Sequence, residues 1–251
     1  MKDLDDHKKV AVLIDADNAQ YSKVKAILDE ISAHGHIVIK RAYGDWSSDN
    51  LKNWKKSLNE LAIQPVQQFA YTTGKNSTDA SMIIDAMDLL YSKRFDAFAL
   101  VSSDSDFTKL ASRLRESEMF VFGVGERKTP ISFRNSCDDF IFTENLGGDE
   151  AIVSKAASGA KKTEAKKPLN DPAELTPLLT KAWEQYQNDD GWADVSVAGS
   201  FVKRSMPDFD PRSYGSAKFS QLFDKLKNAF EIKKSKEKGR GNLIAYRVKD
   251  R

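Results

Sequence analysis

The first 146 residues alternate between short, continuous apolar runs and longer stretches in which apolar residues recur at helical spacing. The stretches AQYSKVKAILDEISAH and DASMIIDAMDLLYSKR have this spacing and predict helices. The runs are rich in β-branched and aromatic residues and predict six strands, at residues 10–15, 36–43, 65–70, 96–102, 119–125 and 139–143. Strands that alternate with helices indicate an α/β domain whose parallel sheet is covered by helices on both faces.

The connections in such a sheet indicate where a ligand binds. Right-handed crossovers bring the carboxyl ends of all parallel strands to one rim. Ligand sites lie at that rim, where the strand order reverses. If the order is 3-2-1-4-5, the strands at 10–15 and 96–102 are neighbours at the reversal, so the residues that follow them are the first candidates for chemistry.

The pattern changes after residue 146. Residues 147–172 are rich in Ala, Lys, Gly and Ser and carry no apolar pattern beyond about residue 154, which predicts a flexible linker. The following ELTPLLTKAWEQYQ predicts an amphipathic helix, and the chain ends in two short strands around GRGN. Helices followed by a terminal hairpin indicate a small winged-helix-like module over residues 173–251.

Composition narrows the class of protein. The 251 residues suit two modest domains, and 40% hydrophobic with 30% charged residues suits a globular protein. No apolar run approaches the ~20 residues of a membrane span. The polar start MKDLDDHKK and the single cysteine lead us to expect a cytoplasmic protein without disulfides. One Cys and three His are too few for a zinc site.

The net charge of +2 hides an asymmetry between the two halves. Residues 161–251 carry 19 Lys and Arg against 13 Asp and Glu, a net charge of +6. The first 160 residues carry 20 against 24, a net charge of −4. This division indicates a cation-binding or catalytic body joined to a module that seeks anions.

Carboxylates follow the strand ends. Asp15 closes the first strand with Asp17 two residues later, Asp104 and Asp106 follow the fourth, and Asp79 opens a predicted helix. Helix capping explains each of them singly, but it does not explain why three segments converge on one rim. A cluster of acids requires cations, and oxygen ligands of this kind suit Mg²⁺ or Mn²⁺, which activate water for phosphodiester hydrolysis.

The motifs of other phosphate-binding and phosphate-transferring proteins are present only in part. IDADN has the D-x-D of aspartyl-phosphate phosphatases, but Asn18 departs from their pattern. TGKNS has the Gly-Lys of a P-loop, but Asn76 replaces the Ser or Thr that binds Mg²⁺ and the upstream Gly is missing. FGVGER is too short for a dinucleotide fingerprint.

Residues 8–146 contain five blocks, in the order VAVLIDADNAQ, RAYGDW, GKNSTDASMIIDAMDLL, LVSSDSDFTKL and VFGVGERKTP. Through these blocks, in the same order, residues 8–146 resemble the NYN domain in its LabA-like branch. That family belongs with the PIN-like nucleases, so the resemblance implies a Rossmann-like PIN-type sheet and a metal-dependent ribonuclease. The family usually has Gly where this chain has Ser103. By motif position the resemblance implies that the catalytic, metal-binding acids are Asp15, Asp79, Asp104 and Asp106, with Asn18 and Lys75 at the edge of the site. The candidate substrate-binding residues are Asn18, Lys75, Ser102 and Ser103, although the two serines are equally placed to fix the Asp104 loop.

The second half resembles the OST-HTH domain, also called LOTUS, in the segment DGWADVSVAGSFVKRSMPDFDPRSYGSAKFSQLFDKL. That family is a winged helix-turn-helix associated with RNA metabolism, and its members bind RNA or protein partners. Most of the motif is structural, and we expect a core that contains Trp192, Phe209, Phe219 and Leu222. The predicted RNA contacts are Lys203, Arg204, Arg212, Tyr214 and Lys218.

Together these observations predict a cytoplasmic, Mg²⁺- or Mn²⁺-dependent ribonuclease with an appended RNA-binding winged helix. One alternative is a non-catalytic RNA-binding scaffold, and the other is a phosphatase or DNA nuclease that uses the same metals. The four acids favour catalysis over the scaffold. The basic second module favours a polymeric substrate over a small phosphate ester.

Overall fold

The computed structural model describes residues 8–69, 77–147, 170–236 and 242–249. The chain divides into two compact units, Met1–Gly159 and Ala160–Arg251. Most of the predicted linker, and Lys75, lie outside the described residues. Within those residues, no helix has the length and apolar character to cross a membrane.

The first unit contains all six predicted strands. They are β1 (Lys9–Asp15), β2 (His36–Gly44), β3 (Gln64–Gln67), β4 (Ala97–Val101), β5 (Phe120–Gly125) and β6 (Asp139–Phe142). The helices between them are α1 (Val24–Ser32), α2 (Trp54–Glu60), α3 (Ser77–Tyr91), α4 (Thr108–Glu116) and α5 (Ile131–Ser136). A short 3-10 turn, Ser105–Phe107, precedes α4.

The six strands form one parallel sheet in the order β3-β2-β1-β4-β5-β6. The predicted α/β fold is confirmed, and β1 and β4 are neighbours at the reversal point. In the β1–β4 register Ile14 pairs with Val101, and in the β1–β2 register Asp15 pairs with Tyr43. The residues that leave β1 and β4 therefore emerge side by side at one rim.

Strands β1, β4 and β5 are buried on both faces of the sheet, which explains why they are almost continuously apolar. In β1, Val12 and Ile14 face a core shared with α1, whereas Ala11 and Leu13 face a second core shared with α3 and α4. Each large apolar side chain buried in this way stabilises the fold by about 1.5–3 kcal/mol. The two cores make the sheet a firm support for the loops at its rim.

In the residues that the structure describes, the second unit has three α-helices and a small antiparallel sheet. The helices are α6 (Thr176–Tyr186), α7 (Val195–Ser205) and α8 (Phe219–Lys225). The strands are β7 (Ala193–Asp194), β8 (Phe230–Lys236) and β9 (Asn242–Val248), in the order β7-β9-β8. Phe209 and Leu222 are buried in its core as expected, and Phe219 packs against that core half-buried. Trp192 is also only half-buried.

Candidate active site

The turn between β4 and α4 carries two of the predicted acids. Asp104 is the N-cap of the 3-10 turn, and its Oδ1 accepts a hydrogen bond from the Asp106 backbone N–H at 3.0 Å. The Ser102 hydroxyl in turn accepts from the Asp104 N–H at 3.1 Å. The capping interpretation is thus correct for Asp104, but a cap of this kind engages one carboxylate oxygen and is compatible with a second ligand.

Asp79, in the first turn of α3, lies close to this pair. One carboxylate oxygen from each of Asp79, Asp104 and Asp106 lies within 4.8 Å of the other two. Partial burial, followed by the charges of the neighbouring aspartates, raises the pKa of Asp79 to about 6. An oxygen-only group of this charge fits Mg²⁺ or Mn²⁺ and does not fit the nitrogen and sulfur preferences of zinc.

Asp15 is not part of that group of three oxygens. It is fully buried, and its Oδ2 accepts hydrogen bonds from Asn18 Nδ2 and Ser102 Oγ, each at 2.8 Å. Its Oδ1 accepts from the backbone N–H groups of Asp17 and Asn18 at 3.2 and 3.3 Å. Burial raises the pKa of Asp15, and these hydrogen bonds only partly oppose the effect. Asp15 therefore ties together the ends of β1 and β4, and its charge also raises the pKa of Asp79.

Ser102 and Ser103 both make local hydrogen bonds at the rim, which is one of the two roles that the sequence left open for them. Ser102 is buried and donates its hydroxyl to Asp15. The Ser103 hydroxyl accepts from the Glu126 backbone N–H at 2.8 Å and so holds the loop after β5. A tight turn between a buried strand and a helix needs local hydrogen bonds, and both serines supply them. Asn18 is exposed at the rim, although its amide is bonded to Asp15.

A polar clasp between β2 and α3 was not foreseen from the sequence. Arg41 Nη1 contacts both carboxylate oxygens of Asp85, at 2.5 and 2.7 Å, and the buried Tyr43 hydroxyl donates to the same carboxylate. Burial and the adjacent Asp85 carboxylate raise the pKa of Tyr43. The clasp fixes α3, which carries Asp79, against Tyr43 of β2, the residue that pairs with Asp15 in the sheet. The sequence places Arg41 and Tyr43 on one face of their strand, within the block RAYGDW, but it does not identify Asp85 as their partner.

An open cleft of about 580 Å³ adjoins the acids. Its lining comes from α3, the 3-10 turn, α4 and α5. The lining residues are Asp79, Ala80, Ile83, Ser105, Asp106, Thr108, Lys109 and Ser132. The candidate acids thus stand at the edge of a space that admits a ligand much larger than an ion.

The predicted RNA contacts of the second unit differ in accessibility. Arg204 and Lys218 are exposed, and Lys203 is half-buried. The Arg212 guanidinium forms an ion pair with Asp210 at 2.8 Å, which offsets its charge. Tyr214 is 3% exposed and packs against Phe209, so it is a core residue here rather than an exposed contact, which corrects the prediction.

A basic and aromatic surface on the terminal sheet was also not foreseen. Arg247 lies 4.9 Å and Lys233 5.8 Å from the centre of the Trp192 ring, within the range of cation–π contacts. Arg247 also pairs with Glu231 at 2.6 Å.

Comparisons with known proteins agree with this architecture. A family model described as the NYN domain matches residues 9–146, and one described as the OST-HTH/LOTUS domain matches residues 170–241. The uncharacterized protein MJ0482 of Methanocaldococcus jannaschii is 30% identical over 122 residues, which cover 47% of each protein. The chain therefore spans about half the length of that curated relative.

Two solved structures share parts of the fold. A protein of unknown function from Vibrio parahaemolyticus, VPA0982, is 19% identical with a TM-score of 0.46, and the match covers 55% of this chain and 94% of that one. An uncharacterized protein from Nitrosomonas europaea is 27% identical with a TM-score of 0.31, over 38% of this chain and 91% of that one. Neither TM-score reaches 0.5.

Proposed function

The chain belongs to the NYN domain family, a PIN-like nuclease family, and from that premise we propose that it is a metal-dependent ribonuclease. The observation that carries the proposal is the approach of three carboxylates to within 4.8 Å of one another at the edge of an open cleft. Ionised carboxylates at this spacing repel each other, and a divalent cation is the partner that offsets the repulsion. RNA is the substrate that best suits the appended OST-HTH/LOTUS domain.

In this proposal Asp79, Asp104 and Asp106 hold Mg²⁺ or Mn²⁺. When bound, such a metal lowers the pKa of water and stabilises the charge that develops on a phosphodiester. Asp15 contributes negative charge behind the ligands and holds the loops at the ends of β1 and β4 through Asn18 and Ser102.

The second unit serves to bring RNA to the acids. Its net charge of +6 attracts phosphates, whereas the first 160 residues, at −4, repel them. Because the two units are covalently joined, RNA held by one is present at a raised effective concentration near the other. This arrangement predicts that cleavage weakens steeply as salt rises.

Labelled RNA and DNA oligomers incubated with Mg²⁺, Mn²⁺ or EDTA test the proposal. We expect cleavage of RNA with a divalent metal, no cleavage in EDTA, and loss of cleavage in Asp104→Asn. The matched control is Asp88→Asn, which removes an exposed carboxylate from α3. An intact RNA under all metal conditions would instead leave an RNA-binding scaffold as the function.

A further inference from the structure

The cleft beside the acids is larger than a metal site requires. Its volume of about 580 Å³ lies within the range of small-molecule sites, and a metal with its waters occupies little of it. Ala80 and Ile83 of α3 line it with apolar surface, which has no role in holding a cation. The lining therefore points to an organic ligand that lies next to the metal ligands.

Among the described residues that line the cleft, Lys109 is the cation. It is exposed at the second position of α4, three residues after Asp106. Among the residues that the structure describes, none forms an ion pair or a hydrogen bond with its ammonium group. An ammonium group placed beside acids but not paired with them is suited to an anionic group of the ligand, and phosphate is the anion that Lys commonly binds.

Apart from Lys109 and the acids, the polar side chains in the described lining of the cleft carry hydroxyls. Thr108 uses its hydroxyl locally, as a donor to the Ser105 carbonyl at 2.5 Å. The side chains of Ser105 and Ser132 are exposed and make no hydrogen bond within the described ranges. The described part of the lining thus combines an apolar wall, two hydroxyls that can donate or accept, and one cation, all adjoining the acids.

We propose that this cleft is a one-nucleotide subsite, which holds the nucleotide next to the phosphodiester that the acids cut. Its base lies against Ala80 and Ile83 with its polar edge toward Ser105 and Ser132, and its phosphate is bound by Lys109. A base must be unpaired and unstacked to lie against this wall, so the subsite selects single-stranded RNA. That a phosphodiester beside this nucleotide is cut rests on the proposed function. That the cleft binds a nucleotide does not depend on it.

Kinetics on a short single-stranded RNA hexamer test the subsite in the full-length protein. We expect Lys109→Ala to raise KM about tenfold and to leave kcat within about twofold, because Lys109 is not one of the acids. Ala80→Leu fills the apolar wall at an exposed helical position that tolerates Leu. It should change the preference among the four nucleotides beside the cut. Lys55→Ala, which removes an exposed lysine of α2, is the matched control.

Hydrogen exchange with uridine 5′-monophosphate in EDTA tests binding apart from cleavage. We expect slower exchange in peptides that cover residues 80–83 and 105–109 of the wild type, and no such protection in Lys109→Ala or Ala80→Leu. If the wild type cuts RNA but neither variant changes KM, preference or protection, the subsite is refuted while the nuclease stands. If RNA is never cut but the protection and its loss are seen, the nucleotide site stands and the proposed function fails.

Discussion

Replacing Asp79 with Asn should stabilise the metal-free protein. The rise of its pKa from 3.8 to about 6 means that the folded state holds this carboxylate against the charges of its neighbours. If burial were complete, that rise would correspond to about 3 kcal/mol. Asp79 is only half-buried, so solvent screening reduces the figure to about 1–2 kcal/mol. The substitution also loses about 0.3–1 kcal/mol of favourable interaction with the α3 N-terminus, which leaves a net gain of about 1 kcal/mol.

The gain should depend on pH in a definite direction. In the wild type, the folded state binds the Asp79 proton more tightly than the unfolded state does. The contribution of Asp79 to stability is therefore most favourable below pH 3.8, falls as the pH rises, and is fully lost above about pH 6. The Asn variant lacks this titration, so its advantage should be full at pH 8 and should shrink as the pH falls through 6 toward 3.8.

Native-state hydrogen exchange in EDTA measures this advantage. Amides of β1 and β4, in the centre of the sheet, report unfolding of the first unit separately from the second. Asp88→Asn is the control, because it removes an exposed carboxylate from the same helix. Added Mg²⁺ should stabilise the wild type by binding to its folded state, so that the wild type becomes more stable than Asp79→Asn. The reasoning fails if Asp79→Asn is no more stable than Asp88→Asn at pH 8, or if its advantage is the same at pH 8 and pH 4.5.

Three further predictions concern other parts of the chain. Tyr43→Phe removes the hydroxyl that donates a hydrogen bond to Asp85, and this loosens α3. Calorimetry should then show that Mn²⁺ binds about three- to tenfold more weakly. Unchanged affinity would limit the clasp to a role in stability. Lys218→Ala should weaken binding of the full chain to single-stranded RNA more than Arg212→Ala, because Asp210 offsets the Arg212 charge; fluorescence anisotropy at low salt decides, and the opposite order contradicts it. Phe223→Ala should destabilise the second unit by about 3–5 kcal/mol, as seen by exchange of β9 amides, because its side chain is fully buried; a loss below about 1 kcal/mol would contradict that packing.

The strands and their order could be predicted because both depend on patterns that the sequence carries directly. Buried parallel strands read as continuous apolar runs, and right-handed crossovers then leave few topologies. The same reasoning correctly placed Asp79 near Asp104, since helix starts and strand ends meet at one rim. The pattern could not show that Asp15 lies apart from the group of Asp79, Asp104 and Asp106. That difference depends on the hydrogen bonds from Asn18 and Ser102 to the Asp15 carboxylate, which form only in the folded structure.

Side chains with two uses were the hardest to assign from sequence. A serine after a strand is compatible with a substrate contact or with a local bond, and only the geometry shows that Ser102 and Ser103 make local bonds. The clasp of Arg41 and Tyr43 with Asp85 joins residues more than 40 positions apart, and pairing over that distance leaves no mark in a local pattern. Tyr214 was misassigned because its neighbours in the motif are basic, whereas its own ring is buried.

The double use of Asp104 affects how related chains can be interpreted. Its carboxylate begins the turn before α4 whether or not a metal is bound. A relative that had lost catalysis would therefore still be selected to keep Asp, Asn or Ser at this position, simply to fold. No described residue hydrogen-bonds to the Asp79 carboxylate, and without a cation the unfavourable effects of its charge outweigh its interaction with the α3 N-terminus. Among relatives, loss of the acid at position 79 should therefore be the earlier and more reliable mark of an inactive copy.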